Sequence, residues 1–310
     1  MKKLPLVIIN APTATGKTEL AIDLALEFSG EIINADSLQV YRYLDIGTAK
    51  PTIEQRNKVR HHLIDVVDPD EEFNAAIFTQ MASQIIQNLA EMRKPVFIVG
   101  GTGLYIRALL KGIIDTPAID KNIRNHYRRL GEVKGKEYLY NLLKKKDAEA
   151  ARRIKPNDTV RVIRALEVLE QSGESIISKQ TRHSGGESSY NTLKIGLQVD
   201  REELKKRISQ RTQKMIAAGL LEEVKSVLAR GYSETLKPLQ SLGYKQIIKY
   251  LAAEFDLEEA LRLINRETWH YAKRQMTWFF ADKEIKWFNL DCSYDIKKHV
   301  EKFWKENSRY

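Results

Sequence analysis

The chain of 310 residues has a single cysteine, Cys292, which excludes an internal disulfide framework and a cysteine-rich zinc module. It also lacks an apolar run long enough to span a membrane. The opening Met-Lys-Lys-Leu-Pro enters an apolar segment too early for a secretory signal peptide, so none is expected. With 43% hydrophobic and 30% charged residues, the composition is typical of a globular protein, and we expect a cytoplasmic location without membrane contact.

Acidic residues are scarce in one stretch of the chain. Residues 121–164 contain 14 Lys and Arg against 5 Asp and Glu, a net charge of +9 out of +10 for the whole chain. Such a concentration of charge indicates a surface that meets a polyanion. The alternative is a solvated lysine-rich face, and the stretch alone does not decide between the two interpretations.

A phosphate-binding loop is predicted near the start of the chain. The apolar run Leu6–Ile9 precedes the loop, and residues with the spacing of one helical face follow it. Such a loop directs backbone N–H groups at an anion, while Lys17 supplies charge and Thr18 a hydroxyl that faces a metal ion. An ordinary strand-to-helix turn with an exposed lysine is the alternative. The residues of the loop are Ala11, Pro12, Thr13, Ala14, Thr15, Gly16, Lys17 and Thr18.

From residue 1 to about 112, short apolar runs alternate with helical stretches, which is typical of an α/β protein with a parallel sheet. Because ligands bind outside the carboxyl ends of parallel strands, Lys17, Asp36 and Thr102 are expected to converge on one crevice. A plain turn is the alternative for Gly100–Gly103. Strands are predicted at 6–9, 32–35, 63–67, 96–99 and 193–199.

Strand signals vanish between about 113 and 190, where basic amphipathic stretches precede a tract rich in Ser and Gly. We therefore expect an α/β fold of the P-loop NTPase type: a parallel sheet flanked by helices, interrupted by a mainly helical insertion domain. Residues 1–114 and 192–310 are assigned to the core with its C-terminal helices, and residues 115–191 to the basic insertion.

One cation is predicted on the apolar face of a helix that begins after Asp200. Leu204, Ile208 and Met215 share that face, and Arg211 falls among them. A cation on a buried face needs an anion, so Arg211 is a candidate ligand of the phosphate. The alternative is an arginine that reaches out at the edge of the apolar stripe.

A later helix, predicted at 257–281, mixes bases with aromatic residues, as suits the binding of unpaired nucleotides. For Trp278 and Phe279, packing in the core is the preferred interpretation. The mixed residues are Trp269, His270, Tyr271, Lys273, Arg274, Gln275, Trp278 and Phe279.

Eight segments together resemble the tRNA dimethylallyltransferases, or tRNA isopentenyltransferases, of the bacterial type. They occur in the family's order over most of the chain, and Asp45–Pro51 is the most specific because phosphate binding alone does not require it. The segments are Pro12–Thr18, Ala35–Arg42, Asp45–Pro51, His61–Asp65, Gly100–Tyr105, Pro156–Asp158, Arg161–Glu167 and Ala272–Trp278.

The resemblance implies transfer of a dimethylallyl group from dimethylallyl diphosphate to N6 of the adenosine 3′ of the anticodon, position 37, in tRNAs that read codons beginning with U. The implied partners are the anticodon stem-loop of tRNA, dimethylallyl diphosphate and Mg²⁺, and we expect a monomer. Two other activities stay open, prenylation of free adenine nucleotides and a P-loop kinase reaction. RNA binding without catalysis is a further alternative.

The resemblance also assigns roles to residues. Asp36 is the base that takes a proton from N6, with Thr102 as its neighbour. Arg211 and Lys17 bind the diphosphate, and Thr18 holds Mg²⁺ through it. The residues implied to contact tRNA are Asp36, Ser37, Leu38, Gln39, Thr102, Arg124, Val160, Arg161, Val162, Ile163, Arg164, Gln240, Gly243, Tyr244, Lys245, Lys273, Arg274 and Gln275.

Four positions depart from the family's pattern. Ala11 replaces the first Gly of the Walker loop, so we expect that position to adopt positive φ less readily. Leu38 and Val160 stand where Arg and Gln are usual, and Phe280 where Arg commonly follows the Trp-Phe pair. Three of the four lie in the stretches implied to contact tRNA, which leaves the individual RNA contacts open.

Overall fold

The computed structural model describes residues 3–183 and 188–307. The chain divides into two compact units, residues 1–110 with 188–310, here called the core unit, and residues 111–187, the insertion unit. Each boundary of the insertion unit lies four residues earlier than the 115–191 expected from the sequence. Of the polar tract at 181–191, the first three residues belong to a helix and 190–191 to a strand, while 184–187 lie outside the described residues.

The core unit contains a six-stranded sheet in which every neighbouring pair of strands is parallel. The strand order is β3-β2-β4-β1-β5-β6, so β1 lies between β4 and β5. The predicted α/β class with a parallel sheet is therefore confirmed. The strands are β1 Leu4–Asn10, β2 Glu31–Asn34, β3 His61–His62, β4 Val96–Gly100, β5 Tyr190–Gln198 and β6 Lys286–Asn289.

Helices flank the sheet in the core unit, and the described part of the insertion unit is helical. They are α1 Lys17–Glu27, α2 Ile53–Lys58, α3 Ala75–Glu91, α4 Gly103–Lys111, α5 Lys121–Lys134, α6 Lys136–Lys146, α7 Ala148–Arg153, α8 Thr159–Ser172, α9 Ile176–His183, α10 Arg201–Ala217, α11 Leu220–Ala229, α12 Tyr244–Leu251, α13 Leu257–Phe280 and α14 Ser293–Asn307. Within the described ranges, no helix is long and apolar enough to cross a membrane.

Alternate residues of the strands enter two hydrophobic clusters, one on each face of the sheet. In β1, Leu6 and Ile8 pack with α3, α4, α11 and α12, whereas Val7 and Ile9 pack with α1 and α14. All four side chains are fully buried, which explains why β1 reads as a continuous apolar run. The two clusters fix the carboxyl end of β1, where the predicted phosphate-binding loop begins.

The strand predicted at 63–67 is wrong. The structure forms only the two-residue strand β3 before it, and Val67 makes an isolated bridge with Tyr41. Leu63 and Asp65 have φ of +60° and +57°, so the backbone turns where a strand would run straight. The short edge strand β6 was not predicted from the sequence at all.

The insertion unit has its own hydrophobic cluster, formed mainly by α5, α6 and α8. Tyr127, Leu139, Val162 and Leu166 are among its buried members. One charged side chain, Glu167, is completely buried in this unit. Most of its bases are exposed on the outside, including the run of three lysines at 144–146.

Candidate active site

The predicted phosphate-binding loop connects β1 to α1. Gly16, with φ of +87°, caps the start of α1, and Ala14 also has positive φ, +64°. Ala11 is buried and is not among the described residues with positive φ. The residues of the loop with positive φ are therefore Ala14 and Gly16. Ala11 does not need positive φ, so replacing glycine by alanine there causes no backbone strain.

Arg211 reaches this loop from α10. Its Nη1 donates a hydrogen bond to Oγ1 of Thr13 at 2.8 Å, and Leu204 and Ile208 on the same helix are buried as predicted. Arg211 therefore contacts the predicted phosphate-binding loop, while its role as a ligand of the phosphate stays a prediction. Burial lowers its pKa, and the negative charges of Asp36 and Glu19 oppose that shift.

Lys17 is the second cation of the site. Burial lowers the pKa of its ammonium group to about 8, the charge of Asp36 acts in the opposite direction, and Arg211 lowers it further. Two desolvated cations side by side create a strongly positive potential at the start of α1, to which the helix dipole adds. This arrangement favours a ligand with several negative charges.

Asp36 follows β2 and is fixed by its own backbone. Its Oδ1 accepts hydrogen bonds from the N–H groups of Leu38 at 2.9 Å and Gln39 at 3.4 Å. Thr102, which follows β4, accepts a hydrogen bond through Oγ1 from the N–H of Ser37 at 3.1 Å. The two side chains are therefore held beside each other at the carboxyl ends of neighbouring strands.

Of the three residues expected in one crevice, Lys17 and Asp36 line a common cavity, whereas Thr102 is not among the residues that line it. Lys17, Thr18, Asp36 and Gln39 line the same cavity of about 20 Å³. By volume, it accommodates about one water molecule. The carboxylate of Asp36 thus shares a cavity with Lys17 and Thr18, the last two residues of the predicted phosphate-binding loop.

Gln275 on α13 also takes part in the site, although not as an exposed RNA contact. It is buried; its Oε1 accepts a hydrogen bond from the N–H of Thr13 at 3.0 Å, and its Nε2 donates to the carbonyl of Gly101 at 2.9 Å. The N–H of Thr13 is thereby directed to Gln275. Since Pro12 has no N–H, the amides available for a phosphate are those from Ala14 onward.

Tyr271 is a site residue whose position we did not foresee. Burial, ahead of the charge of Asp36, raises the pKa of its hydroxyl, while the neighbouring side chains of Gln275 and Thr102 lower it. The only sequence signal was its position four residues before Gln275, which places both side chains on one face of α13.

Four further residues implied to contact tRNA are buried, and Gly243 is one of them. Val162 and Ile163 belong to the hydrophobic cluster of the insertion unit, and Tyr244 is fully buried with its hydroxyl bonded to Glu223 at 2.6 Å. Side chains in such positions cannot stack on a base or reach a phosphate. Those that are exposed are Val160, Arg161, Gln240, Lys245, Lys273 and Arg274.

Arg124 and Arg164 have a structural task that the sequence did not reveal. Both pair with the buried carboxylate of Glu167, Arg124 at 2.8 Å and Arg164 at 2.9 Å. Arg164 also donates to Oγ1 of Thr116 at 2.9 Å and to the carbonyl of Pro117 at 2.8 Å. Their guanidinium groups neutralise an internal charge, unlike the exposed bases of the same unit.

The segment Asp45–Pro51 also owes its pattern to an internal contact. The N–H groups of Asp45, Ile46 and Gly47 donate to the carboxylate of Glu223 on α11 at 2.8, 2.7 and 3.0 Å. Gly47 has no room for a side chain, because a Cβ there would lie 2.5 Å from the ring of Tyr244. The loop is thus built around Glu223, a residue that the sequence analysis did not single out.

A metal ion at this site has few protein ligands available. Among the residues that the structure describes, no group of three or more His, Cys, Asp or Glu side chains is arranged to hold a metal ion. Thr18 is the second residue of α1, next to Lys17, and shares the cavity with Asp36. This set suits a hard cation that brings most of its ligands as waters and phosphate oxygens, as Mg²⁺ does.

The fold is that of an α/β protein with a parallel sheet flanked by helices, and the carboxylate of Asp36 shares a cavity with Lys17 at the start of α1. The IPP transferase family model matches residues 39–282. The chain belongs to this family.

Curated relatives and solved structures agree with that assignment. The chain is 50% identical over 276 residues to tRNA dimethylallyltransferase 2 of Syntrophus aciditrophicus, covering 89% of each chain. The tRNA isopentenylpyrophosphate transferase of Bacillus halodurans has a similar structure, with a TM-score of 0.74, 36% identity and 99% coverage of both chains. A eukaryotic dimethylallyltransferase, studied acting on tRNA, gives a TM-score of 0.77 at 26% identity over 92% of this chain and 74% of that one.

Proposed function

We propose that this protein transfers a dimethylallyl group from dimethylallyl diphosphate to N6 of an adenosine in tRNA. The observation that carries the proposal is the meeting of two cations at the loop after β1, where Arg211 bonds to Thr13 and Lys17 shares a cavity with the backbone-fixed carboxylate of Asp36. The printed names of the relatives, tRNA dimethylallyltransferases and tRNA isopentenylpyrophosphate transferases, support the substrate class.

The cradle acts on the donor. As the bond between C1 of the allyl group and the diphosphate oxygen breaks, the electron pair goes to the oxygen and positive charge develops on carbon. Lys17, Arg211 and the amides from Ala14 onward stabilise the negative charge on the leaving diphosphate. Their positions are fixed before the substrate arrives, so little reorganisation is needed in the transition state.

The carboxylate acts on the acceptor. The exocyclic amine of adenine is a weak nucleophile because its lone pair is delocalised into the ring. Asp36 accepts a proton from N6 while nitrogen forms its bond to C1, and the adenine ends as a neutral secondary amine. Oδ1 of Asp36 is occupied by the N–H groups of Leu38 and Gln39, which leaves Oδ2 for this task.

Mg²⁺ fits as the metal ion of this reaction. Thr18 would offer its hydroxyl, and the diphosphate and waters would complete the ligand set. When bound, the ion neutralises part of the charge of the leaving diphosphate.

The adenosine 3′ of the anticodon, position 37, in tRNAs that read codons beginning with U is the acceptor we propose. The base must leave the stacked loop to reach Asp36. Exposed bases of α13, Lys273 and Arg274, support binding of the RNA backbone near the site. We further propose that the protein works as a monomer in the cytoplasm.

An assay of group transfer tests this function. Purified protein is incubated with labelled dimethylallyl diphosphate, Mg²⁺ and one of three acceptors: unmodified tRNA, AMP or ATP. We expect label in the tRNA alone. Label in AMP or ATP without label in tRNA would assign the protein to free-nucleotide prenylation, and transfer of phosphate from ATP to a small acceptor would assign it to the kinases.

A further inference from the structure

Helix α13 contacts both loops of the site through side chains one turn apart. Gln275 joins the phosphate-binding loop, at the N–H of Thr13, to the loop after β4, at the carbonyl of Gly101. Tyr271 meets the hydroxyl-bearing side chain of Thr102 in the same loop after β4. One face of one helix therefore spans the donor cradle and the acceptor side of the crevice.

The glycines of the loop after β4 make this approach feasible. A Cβ on Gly101 would lie 2.2 Å from Nε2 of Gln275, and a Cβ on Gly103 would lie 2.2 Å from the ring of Trp278. Both distances are shorter than van der Waals contact allows, so the loop and α13 are fitted to each other. The side-chain amide of Gln275 is buried and uses both its donor and its acceptor. Because hydrogen bonds require particular distances and angles, it fixes the position of its neighbours more closely than an apolar side chain of the same size would.

We propose that Gln275 and Tyr271 are positioning residues that fix the separation between the diphosphate cradle and the Asp36–Thr102 pair. The inference rests on the proposed function. Transfer needs the donor carbon and N6 of adenine within about 3–3.5 Å, and a misplacement of about 1 Å costs roughly 10²-fold in rate. The two hydrogen bonds of Gln275, together with the hydroxyl of Tyr271 beside Thr102, restrain that separation from one helix.

Two substitutions remove the restraint with little change in volume. Tyr271→Phe deletes one hydroxyl, and Gln275→Met deletes both amide contacts. We expect each to lower the single-turnover transfer rate roughly 10- to 100-fold. The dissociation constants of dimethylallyl diphosphate and of tRNA should stay within about twofold of wild type, because neither side chain is placed to bind them.

Matched control variants carry the same substitutions elsewhere in the core unit. The hydroxyl of Tyr190 lies 3.2 Å from Oγ of Ser83, at the opposite end of the sheet, so Tyr190→Phe loses a comparable contact. Gln55 caps α2 by accepting the N–H of Thr52 at 2.9 Å, so Gln55→Met loses an amide contact. Both controls should transfer at the wild-type rate even if their thermal stability falls.

The outcomes separate the inference from the proposed function. If wild-type protein transfers the group and Tyr271→Phe and Gln275→Met do so equally fast, the positioning role is refuted while the function stands. A rate that falls only in proportion to lost substrate affinity also refutes it. If wild-type protein transfers nothing to tRNA under conditions where it is folded, the proposed function itself fails.

Discussion

The guanidinium group of Arg211 and the hydroxyl of Thr13 lie 2.8 Å apart, although 198 positions separate them in sequence. The contact brings a cation from α10 to the loop between β1 and α1. It also means that the proposed diphosphate site is assembled from both segments of the core unit, one before and one after the insertion. The site forms only when these two segments fold together.

Arg211→Gln should weaken binding of dimethylallyl diphosphate. A charge-assisted hydrogen bond contributes about 1.5–3 kcal/mol, so we expect its dissociation constant to rise roughly 10- to 100-fold. Isothermal titration with the donor measures the effect. Arg207→Gln is the matched control, because Arg207 lies one turn earlier on α10 and pairs with Glu203 at 2.8 Å. Equal donor affinity in wild type and Arg211→Gln would remove Arg211 from the cradle.

Asp36→Asn should slow transfer while leaving donor affinity nearly unchanged. A general base contributes about 10²–10⁴-fold, and asparagine keeps the size of the side chain without its basicity. Single-turnover kinetics with saturating tRNA measure the rate. Asp23→Asn, at an exposed position of α1, serves as the control. A variant rate within a few-fold of wild type would show that Asp36 is not the base.

Donor affinity should fall as the pH rises above about 8, since that is the pKa of Lys17. The anionic donor favours the ammonium form, so affinity is highest below pH 8 and falls by at most about tenfold per pH unit above it. The terminal phosphate is already ionised there, because its second pKa is about 6. Lys17→Met should bind dimethylallyl diphosphate weakly, with an affinity that does not change with pH. A wild-type affinity that stays constant up to pH 10 would contradict the role of Lys17 in donor binding.

The lowered pKa of Lys17 affects the free energy of unfolding in the opposite direction: stability rises with pH, whereas donor affinity falls. Below pH 8 the folded protein must keep a buried ammonium group, which costs stability. Between about pH 8 and 10.5 the folded state releases this proton before the unfolded state does, so the contribution of Lys17 to stability rises with pH. Urea unfolding of wild type and Lys17→Met across this range measures the difference in their stability. We expect that difference to change with pH, and a difference that is constant over the range would mean that the pKa of Lys17 is unperturbed.

Salt dependence tests the exposed bases of the insertion unit. Neutralising Lys121, Arg128 and Arg161 to Gln removes three exposed cations. The slope of log affinity for tRNA against log salt should then decrease by roughly two units, at about 0.7 per phosphate contact on single strands. Donor affinity should not change. If the plots of log affinity against log salt have the same slope for wild type and the triple variant, these three residues are solvated and do not contact phosphate.

Arg124 and Arg164 should behave differently from the exposed bases. Replacing both with Gln leaves the carboxylate of Glu167, which is 0% exposed, without a counterion. Breaking a buried pair in this way costs about 3–5 kcal/mol of stability. Denaturant unfolding measures the loss, and Glu167→Gln added to the double variant should restore part of it. A double variant as stable as wild type would contradict the structural role.

The spacing of apolar residues predicted the parts of the molecule that follow local rules. The buried strands β1 and β4, the loop at Lys17 and the odd position of Arg211 on its helix all follow from the spacing of apolar residues. The spacing of apolar residues wrongly predicted a strand at 63–67. Leu63 and Asp65 have positive φ there, and apolar spacing does not indicate backbone conformation.

Long-range hydrogen bonds were not predictable from a single sequence. Glu223 is an ordinary acidic residue in a helix, and nothing nearby indicates that it organises the segment Asp45–Pro51. Gln275 looked like an exposed RNA contact because its neighbours are bases, whereas the helix turns it inward. The burial of Glu167, which pairs with both Arg124 and Arg164, was not visible in the sequence. Glu167 is distant in sequence from Arg124, and beside Arg164 it resembles an ordinary exposed acidic residue of a helix.

Mapping the transferred group tests the central claim most directly. An unmodified tRNA transcript with adenosine at position 37, and the same transcript with guanosine there, would each be incubated with the protein, Mg²⁺ and dimethylallyl diphosphate, digested and analysed by mass spectrometry. We predict one dimethylallyl group on N6 of that adenosine, none in the guanosine transcript and almost none with Asp36→Asn. Equal labelling of both transcripts, or a group attached elsewhere than N6, would contradict the account.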